Sequence, residues 1–189
     1  MNLAMIGVGY VGLVSGACFA EAGHNVLCMD VDPKKIEALR QGKIPIYEPG
    51  LDDYVQRNIT NGRLSFTTDL TEAVAQCQVI FICVGTPSRE DGSADLQYVF
   101  EAARGVGRTM TAYKIVVDKS TAEFLREGAA IGDFMQPDRI VVGVESDRAK
   151  TLMAEVYRPW TDQGYPLHIM EVPSAEMTKY AANSFLAAK

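Results

Sequence analysis

The stretch Leu3-Ala-Met-Ile-Gly-Val-Gly-Tyr-Val-Gly12 decides how this chain is read. Four apolar residues, Leu3 to Ile6, stop at a glycine, and from Tyr10 to Ala22 small and apolar side chains recur at helical spacing. The order is strand, tight turn, helix. In that setting the three glycines have separate tasks. Gly7 permits the turn, Gly9 lets backbone N–H groups approach a pyrophosphate, and Gly12 lets the helix lie close on the sheet with its positive N-terminal end toward the ligand. Tyr10 and Val11, between the last two glycines, belong to the same cofactor-binding turn.

Working outward, Val26 to Met29 is a second apolar run that ends at Asp30. A carboxylate there, about 20 residues past the glycines, can accept the hydroxyls of an adenosine ribose. It selects NAD over NADP, because a 2′-phosphate would meet like charge in a partly desolvated cleft, with Lys34 and Lys35 working against that preference. FAD is the competing dinucleotide, and no separate flavin signature is present. Glycine-rich packing without a ligand is the plain alternative, opposed by strand, glycines, helix, second strand and acid all falling in register.

Further elements alternate. Pro33 opens a helix through Arg40, and Gln41 to Pro49 is an ordered loop before a short helix over Leu51 to Asn58. Val79 to Val84 is an unbroken apolar run expected of a strand covered on both faces. Helix (Asp95 to Met110), strand (Ile115 to Val117), helix (Glu123 to Ile131), strand (Ile140 to Val142), helix (Asp147 to Tyr157) and strand (Leu167 to Met170) follow. This predicts an α/β fold with a doubly wound, mainly parallel, Rossmann-like sheet over residues 1–172. Pro173 opens a last helix to Lys189, expected to be the start of a C-terminal linking helix, with nothing after it as a cap.

The 189 residues, 48% of them hydrophobic, suit one core. A net charge of −6 argues against a nucleic-acid partner, since phosphate backbones are held on clustered Lys and Arg. Leu3 to Ala20 carries no charge, yet it lacks a preceding basic residue and holds Gly7, Gly9, Gly12 and Gly16, so neither a targeting segment nor a membrane span is expected. Cys18, Cys28, Cys77 and Cys83 show no metal-ligand spacing and sit in apolar stretches, which predicts no metal site and suits a reducing cytoplasm. His24 and His168 stand alone and receive no role.

Four further blocks resemble the UDP-glucose 6-dehydrogenase family, within the nucleotide-sugar dehydrogenases that include GDP-mannose dehydrogenase. They are Ile44-Pro-Ile-Tyr-Glu-Pro-Gly-Leu51, Cys83-Val-Gly-Thr-Pro87, Glu123-Phe-Leu-Arg-Glu-Gly128 and Glu176-Met-Thr-Lys-Tyr-Ala-Ala-Asn183. The resemblance implies NAD as cofactor, Asp30 and Lys35 at the adenosine ribose, and Thr86 and Thr121 along the nicotinamide half. It implies Glu123 as a general base or water-orienting group, Glu127 as a cofactor contact, and Phe124 and Leu125 near a UDP-sugar substrate. It also implies Lys179 steadying an oxyanion and Asn183 fixing orientation, Thr121 standing with these catalytic residues. On spacing alone, Glu123 with Glu127, and Lys179 with Asn183, read equally as solvated helix faces. Arg126 and Arg139 read either as cations for the diphosphate or as surface salt bridges.

The family reaction is a two-step oxidation of a primary alcohol to a carboxylate through a cysteine that traps the aldehyde, and that cysteine lies in a second domain beyond these residues. None of the four cysteines substitutes for it. The whole enzyme is then expected to be a homodimer, with this chain supplying the cofactor site and inactive alone; a non-catalytic NAD-binding module is the alternative. One departure stands out. The family places a helix and a strand between the Lys-Ser-Thr strand end and the Glu-Phe-Leu-Arg-Glu block, where here Ala122 alone joins Thr121 to Glu123. Whether that segment is deleted or lies outside these residues, the spacing from Thr121 to Glu123 departs from the family pattern.

Overall fold

The computed structural model describes residues 1–119 and 125–187, with side chains described except at 183 and 185–187. Strand β1 (Asn2–Ile6) is the centre of a five-stranded parallel sheet. It pairs on one side with β2 (Asn25–Met29), which pairs with β3 (Leu64–Thr67), and on the other with β4 (Val79–Ile82), which pairs with β5 (Ile115–Asp118). The order β3-β2-β1-β4-β5 reverses direction between β1 and β4, the switch point at which open parallel sheets bind ligands. Strands β6 (Ile140–Gly143) and β7 (Leu167–Met170) form a separate two-stranded parallel sheet, a division that strict alternation in the sequence did not predict.

Period-two alternation gives the central strands two apolar faces. Leu3, Met5, Val26, Cys28, Val79 and Phe81 enter one core beneath α1 (Tyr10–Glu21) and α3 (Leu51–Thr60). Ala4, Ile6, Leu27, Met29 and Ile80 enter the other with α4 (Leu70–Gln76) and α5 (Gln97–Thr109). Helix α2 (Pro33–Arg40) starts on Asp32, whose carboxylate accepts from the amides of Lys34 and Lys35, with Pro33 in the first turn.

The predicted helix over Glu123 to Ile131 differs in the structure. Residues 125–126 have no regular structure, 127–129 form a turn, and α6 spans Ala130–Met135. Gly128 lies at φ +86°, a left-handed conformation that interrupts a right-handed helix. Helices α7 (Asp147–Val156), α8 (Arg158–Thr161) and α9 (Val172–Ala187) complete the chain, α9 packing on β6. The two sheets share the larger core through Phe19 on α1, whose ring meets those of Phe81, Phe134, Tyr157 and Trp160 at centroid distances of 5.0 to 5.7 Å. Among the described residues no helix is long and apolar enough to cross a membrane.

Candidate functional site: a dinucleotide cradle at the switch point

The glycine turn follows β1 directly, and each glycine meets a different environment. Gly7 lies at φ +96°, and its amide donates to the Met29 carbonyl at 2.8 Å. A Cβ built on Gly12 would stand 1.9 Å from the Gly7 carbonyl oxygen, so the start of α1 reaches the strand end only because residue 12 has no side chain. Around Gly9 the situation is reversed: a Cβ there would meet nothing within 4 Å. Gly9 is also the N-cap of α1, and it gives no side-chain hydrogen bond to the helix start. The first turn of α1 holds no acidic residue. Backbone donors with no side-chain cap, a positive helix end and open space in front of Gly9 together suit an anionic group.

Asp30 closes one side of this turn from the end of β2. Its Oδ2 accepts from the Val8 amide at 2.8 Å and from Lys35 Nζ at 2.8 Å, and its Oδ1 from the Asp32 amide at 3.1 Å. Asp30 is buried. Burial alone would raise its pKa, but the Lys35 ammonium and the two amides outweigh it and hold the carboxyl below the usual carboxylate range. Three donors leave a carboxylate about one of its four acceptor positions. The polar surface offered here is therefore an acceptor and an ammonium side by side. Thr86, half-buried, lies on the loop after β4, on the same side of the sheet as the glycine turn.

On the other side, Tyr10, the first residue of α1, donates its hydroxyl to Glu48. The Glu48 carboxylate also accepts from the Gly128 amide at 2.7 Å and the Ile131 amide at 3.4 Å. Helix α6 has no side-chain cap of its own, so Glu48 serves as one from the distant Ile44 to Leu51 block. Burial would push Glu48 up, yet Tyr10 and the amides of Gly128, Ile131 and Ala130 hold it below its usual value. Tyr10 in turn is raised to about 12, first by burial and then by this bond. The sequence reading quoted Glu48 only as part of a motif. Its signal was an acid set between Pro45 and Pro49 in a rigid loop, with nothing local to pair it.

The structure thus brings together Gly7, Gly9, Tyr10, Val11, Gly12, Asp30 and Lys35 as one site. Glu127 is exposed in the turn before α6 and contributes to the electrostatic environment of Tyr10. It does not share a helix face with residue 123, since no helix runs through 127. Leu125 is half-buried and packs on the larger core. Lys179 is half-buried on α9, where the backbone of Asn183 also lies. Thr121, Glu123 and Phe124 lie outside the described residues. Arg126 is engaged with Asp133 at 2.6 and 2.9 Å, the salt-bridge reading. All four cysteines are buried, and burial raises Cys18 to about 12 and Cys77 to about 11, the opposite of an activated thiol.

Known proteins with similar sequence and fold agree with this geometry. The chain is 49% identical to a UDP-glucose 6-dehydrogenase of Rhizobium meliloti over 219 aligned positions, covering all of this chain and 50% of that protein. It is 43% identical to UDP-glucose 6-dehydrogenase TuaD of Bacillus subtilis over 216 positions, all of this chain and 46% of the relative. The chain therefore spans about half the length of the curated relatives it matches. Among solved structures, a UDP-glucose dehydrogenase from Pyrobaculum islandicum superposes with a TM-score of 0.93 at 42% identity, over 98% of this chain and 50% of that one. A GDP-mannose dehydrogenase from Pseudomonas aeruginosa, solved as a ternary complex, gives 0.93 at 35% identity over 100% and 50%. The sequence profile described as UDP-glucose/GDP-mannose dehydrogenase family, NAD binding domain, matches in two stretches, residues 1–123 and 122–161. With that profile matching most of the chain, this chain belongs to the UDP-glucose/GDP-mannose dehydrogenase family.

Proposed function

We propose that this chain is the NAD-binding half of a UDP-glucose 6-dehydrogenase, the whole enzyme oxidising UDP-glucose to UDP-glucuronate in two hydride transfers. The observation that carries the reading is the pairing of open space at Gly9 with a buried, ionised Asp30 bonded to the Val8 amide. NAD, when bound, supplies the hydride acceptor; every other task falls to protein groups. The amides at the start of α1 would hold the pyrophosphate. Asp30 and Lys35 would hold the adenosine ribose, the carboxylate accepting and the ammonium donating. Thr86 and Thr121 would flank the nicotinamide half, with Glu127 close to Tyr10.

Toward the sugar nucleotide, Glu123 would hold a proton or orient water, with Phe124 and Leu125 beside the substrate. Lys179 would steady developing negative charge on oxygen and Asn183 would orient the reacting group. The buried thiols of this chain are unsuited to trap an aldehyde, so turnover needs a nucleophile from elsewhere in the enzyme, and this half alone binds NAD without oxidising sugar. UDP-glucose is preferred to GDP-mannose because identities of 49% and 42% to the UDP-glucose relatives exceed the 35% to the GDP-mannose enzyme. A reducing cytoplasm suits the unpaired thiols, and the whole enzyme is expected to be a homodimer.

Isothermal titration calorimetry of this chain tests the cofactor site. NADH should bind, and NADPH at least tenfold more weakly; equal affinities would remove the role given to Asp30, and absence of NADH binding would overturn the site. Assaying the full-length gene product with UDP-glucose, GDP-mannose and NAD tests the substrate, and NADH formed from GDP-mannose alone would overturn that assignment.

A further inference from the structure

Tyr10 belongs to two assemblies at once. Its backbone opens α1 beside the N-cap Gly9, where the helix start offers its amides to an anion. Its hydroxyl donates to Glu48, a residue of a distant loop. The glycine corner is held on its other flank by Asp30, which accepts from the Val8 amide at 2.8 Å. Between these two holds stands Gly9, which lends no side chain to the helix start and around which a Cβ would meet nothing within 4 Å. A corner built on glycine has conformational freedom, and a ligand that needs it in one place binds more weakly by the freedom it must remove. A bond from residue 10 to a fixed point removes part of that freedom beforehand.

Glu48 is such a point. It lies between Pro45 and Pro49, on a loop whose Ile44 and Ile46 pack on the larger core and whose Glu48 carbonyl accepts from the Leu51 amide at 3.1 Å. Leu51 is buried at the start of α3, and α3 packs on α1. The loop is therefore docked on the helix whose first residue it holds, through contacts that do not involve the phenol.

The carboxylate oxygen that takes the phenol bond, Oε2, also accepts from the Gly128 amide at 2.7 Å, and that amide lies 3.3 Å from the Tyr10 hydroxyl. Residues 10, 48 and 128 thus meet within one hydrogen-bonded group. Gly128 directly follows Glu127, whose carboxylate is near enough to Tyr10 to contribute to raising its phenol. An acceptor shared by two donors transmits a shift of either one to the other.

We propose that Glu48 is a positioning residue of the dinucleotide site: through Tyr10 it presets the start of α1 for the pyrophosphate, and through Gly128 it makes the turn that carries Glu127 respond to the same ligand. This inference rests on the NAD reading given above. The coupling runs both ways. A dinucleotide that fixes the corner tightens the group at Glu48 and with it the Gly128 amide. Removing the phenol hydroxyl cuts that connection while leaving Glu48 its amide donors and α6 its cap.

The test is a double-mutant cycle on NADH affinity by calorimetry, with Tyr10→Phe, Glu48→Ala and the double variant. Tyr10→Phe should weaken NADH about fivefold or more in the wild-type background and less than about twofold further in the Glu48→Ala background. Hydrogen exchange supplies the second readout, and it decides alone should Glu48→Ala fail to fold. Saturating NADH should slow exchange of the Gly128 amide about fivefold or more in the wild type and leave it unchanged in Tyr10→Phe. Equal losses in both backgrounds would overturn the proposal, because the phenol would then act on NADH without Glu48. Unchanged affinity in Tyr10→Phe would overturn it too, as would protection of Gly128 that persists in that variant. Any of these results in a chain that binds NADH leaves the cofactor reading standing, whereas a wild-type chain that binds no NADH overturns both.

Discussion

Gly9 and Gly12 share a residue type and differ in what surrounds them, which separates binding from folding within four residues. Gly12→Ala puts a methyl 1.9 Å from the Gly7 oxygen, so the start of α1 must lift from β1. Loss of about 1–3 kcal/mol of stability is expected, together with loss of NADH binding. Gly9→Ala meets no protein atom. It should leave the melting temperature within about 2–3 °C while weakening NADH at least tenfold, because the methyl fills the space a pyrophosphate needs. Calorimetry and thermal melts on both variants check the pair. Ser15 is a converse case: its buried hydroxyl has no hydrogen-bond partner among the described residues, so Ser15→Ala should stabilise the chain by about 1 kcal/mol in urea titrations.

Titration at single residues also sets the acid limit. His24 is buried, takes a hydrogen bond at Nδ1 from the N-terminal ammonium at 3.3 Å, and donates from Nε2 to the Val156 carbonyl at 2.9 Å. Burial holds its pKa below the usual histidine value. Its neutral form therefore adds stability that is complete above about pH 6.5 and fades as pH falls toward the lower folded value. The lowered carboxyls of Asp30 and Glu48 act later: their contribution is complete above about pH 4.5 and is lost as pH drops further. Urea titrations from pH 8 to 3 should show two descents, and His24→Gln should remove the first. The turn at Gly7, Gly9 and Gly12 and the position of Asp30 just after β2 were legible in the sequence because each rests on local geometry. Lys35 was placed with Asp30 only by the family resemblance; its ion pair with that carboxylate depends on a side-chain rotamer that spacing alone does not fix.

Elements were legible where an apolar pattern met clear punctuation at its ends. Tyr10 to Glu21, Pro33 to Arg40 and Leu167 to Met170 form where propensity and punctuation place them. Strand β3 and helix α4 were not seen, because Ser65 and Thr67 break the apolar run of the one and the seven residues from Leu70 to Gln76 are too few to establish a helical period in the other. Their cue was Asp69, which caps α4 by accepting from the amides of Thr71 and Glu72. The misplaced start of α6 has another cause. Spacing treated Glu123 to Ile131 as self-contained, whereas Gly128 and an acid some eighty residues upstream fix where the helix begins. Glu48→Ala should therefore act on α6: we expect a loss of about 2–4 kcal/mol from four donors left unmatched, with faster amide exchange at Gly128 and Ile131. Glu48→Gln keeps one acceptor oxygen and should recover about half of that loss.

At the scale of the whole molecule, the α/β class was legible from alternation, but the break into two sheets was not, because pairing between strands distant in the chain leaves no mark on the local pattern that defines each strand. What unites the sheets is the ring cluster on Phe19. Phe19→Ala should cost about 3–5 kcal/mol and cause the C-terminal sheet to exchange amides before the five-stranded one. The cluster contains the chain's one tryptophan, Trp160, fully buried and donating its indole N–H to the Phe134 carbonyl at 3.0 Å. Nature has thereby placed a solitary chromophore at the seam. Its emission maximum will shift to the red when the two halves part, so separation of the sheets can be followed by light alone, with no dye attached and no competing indole to subtract.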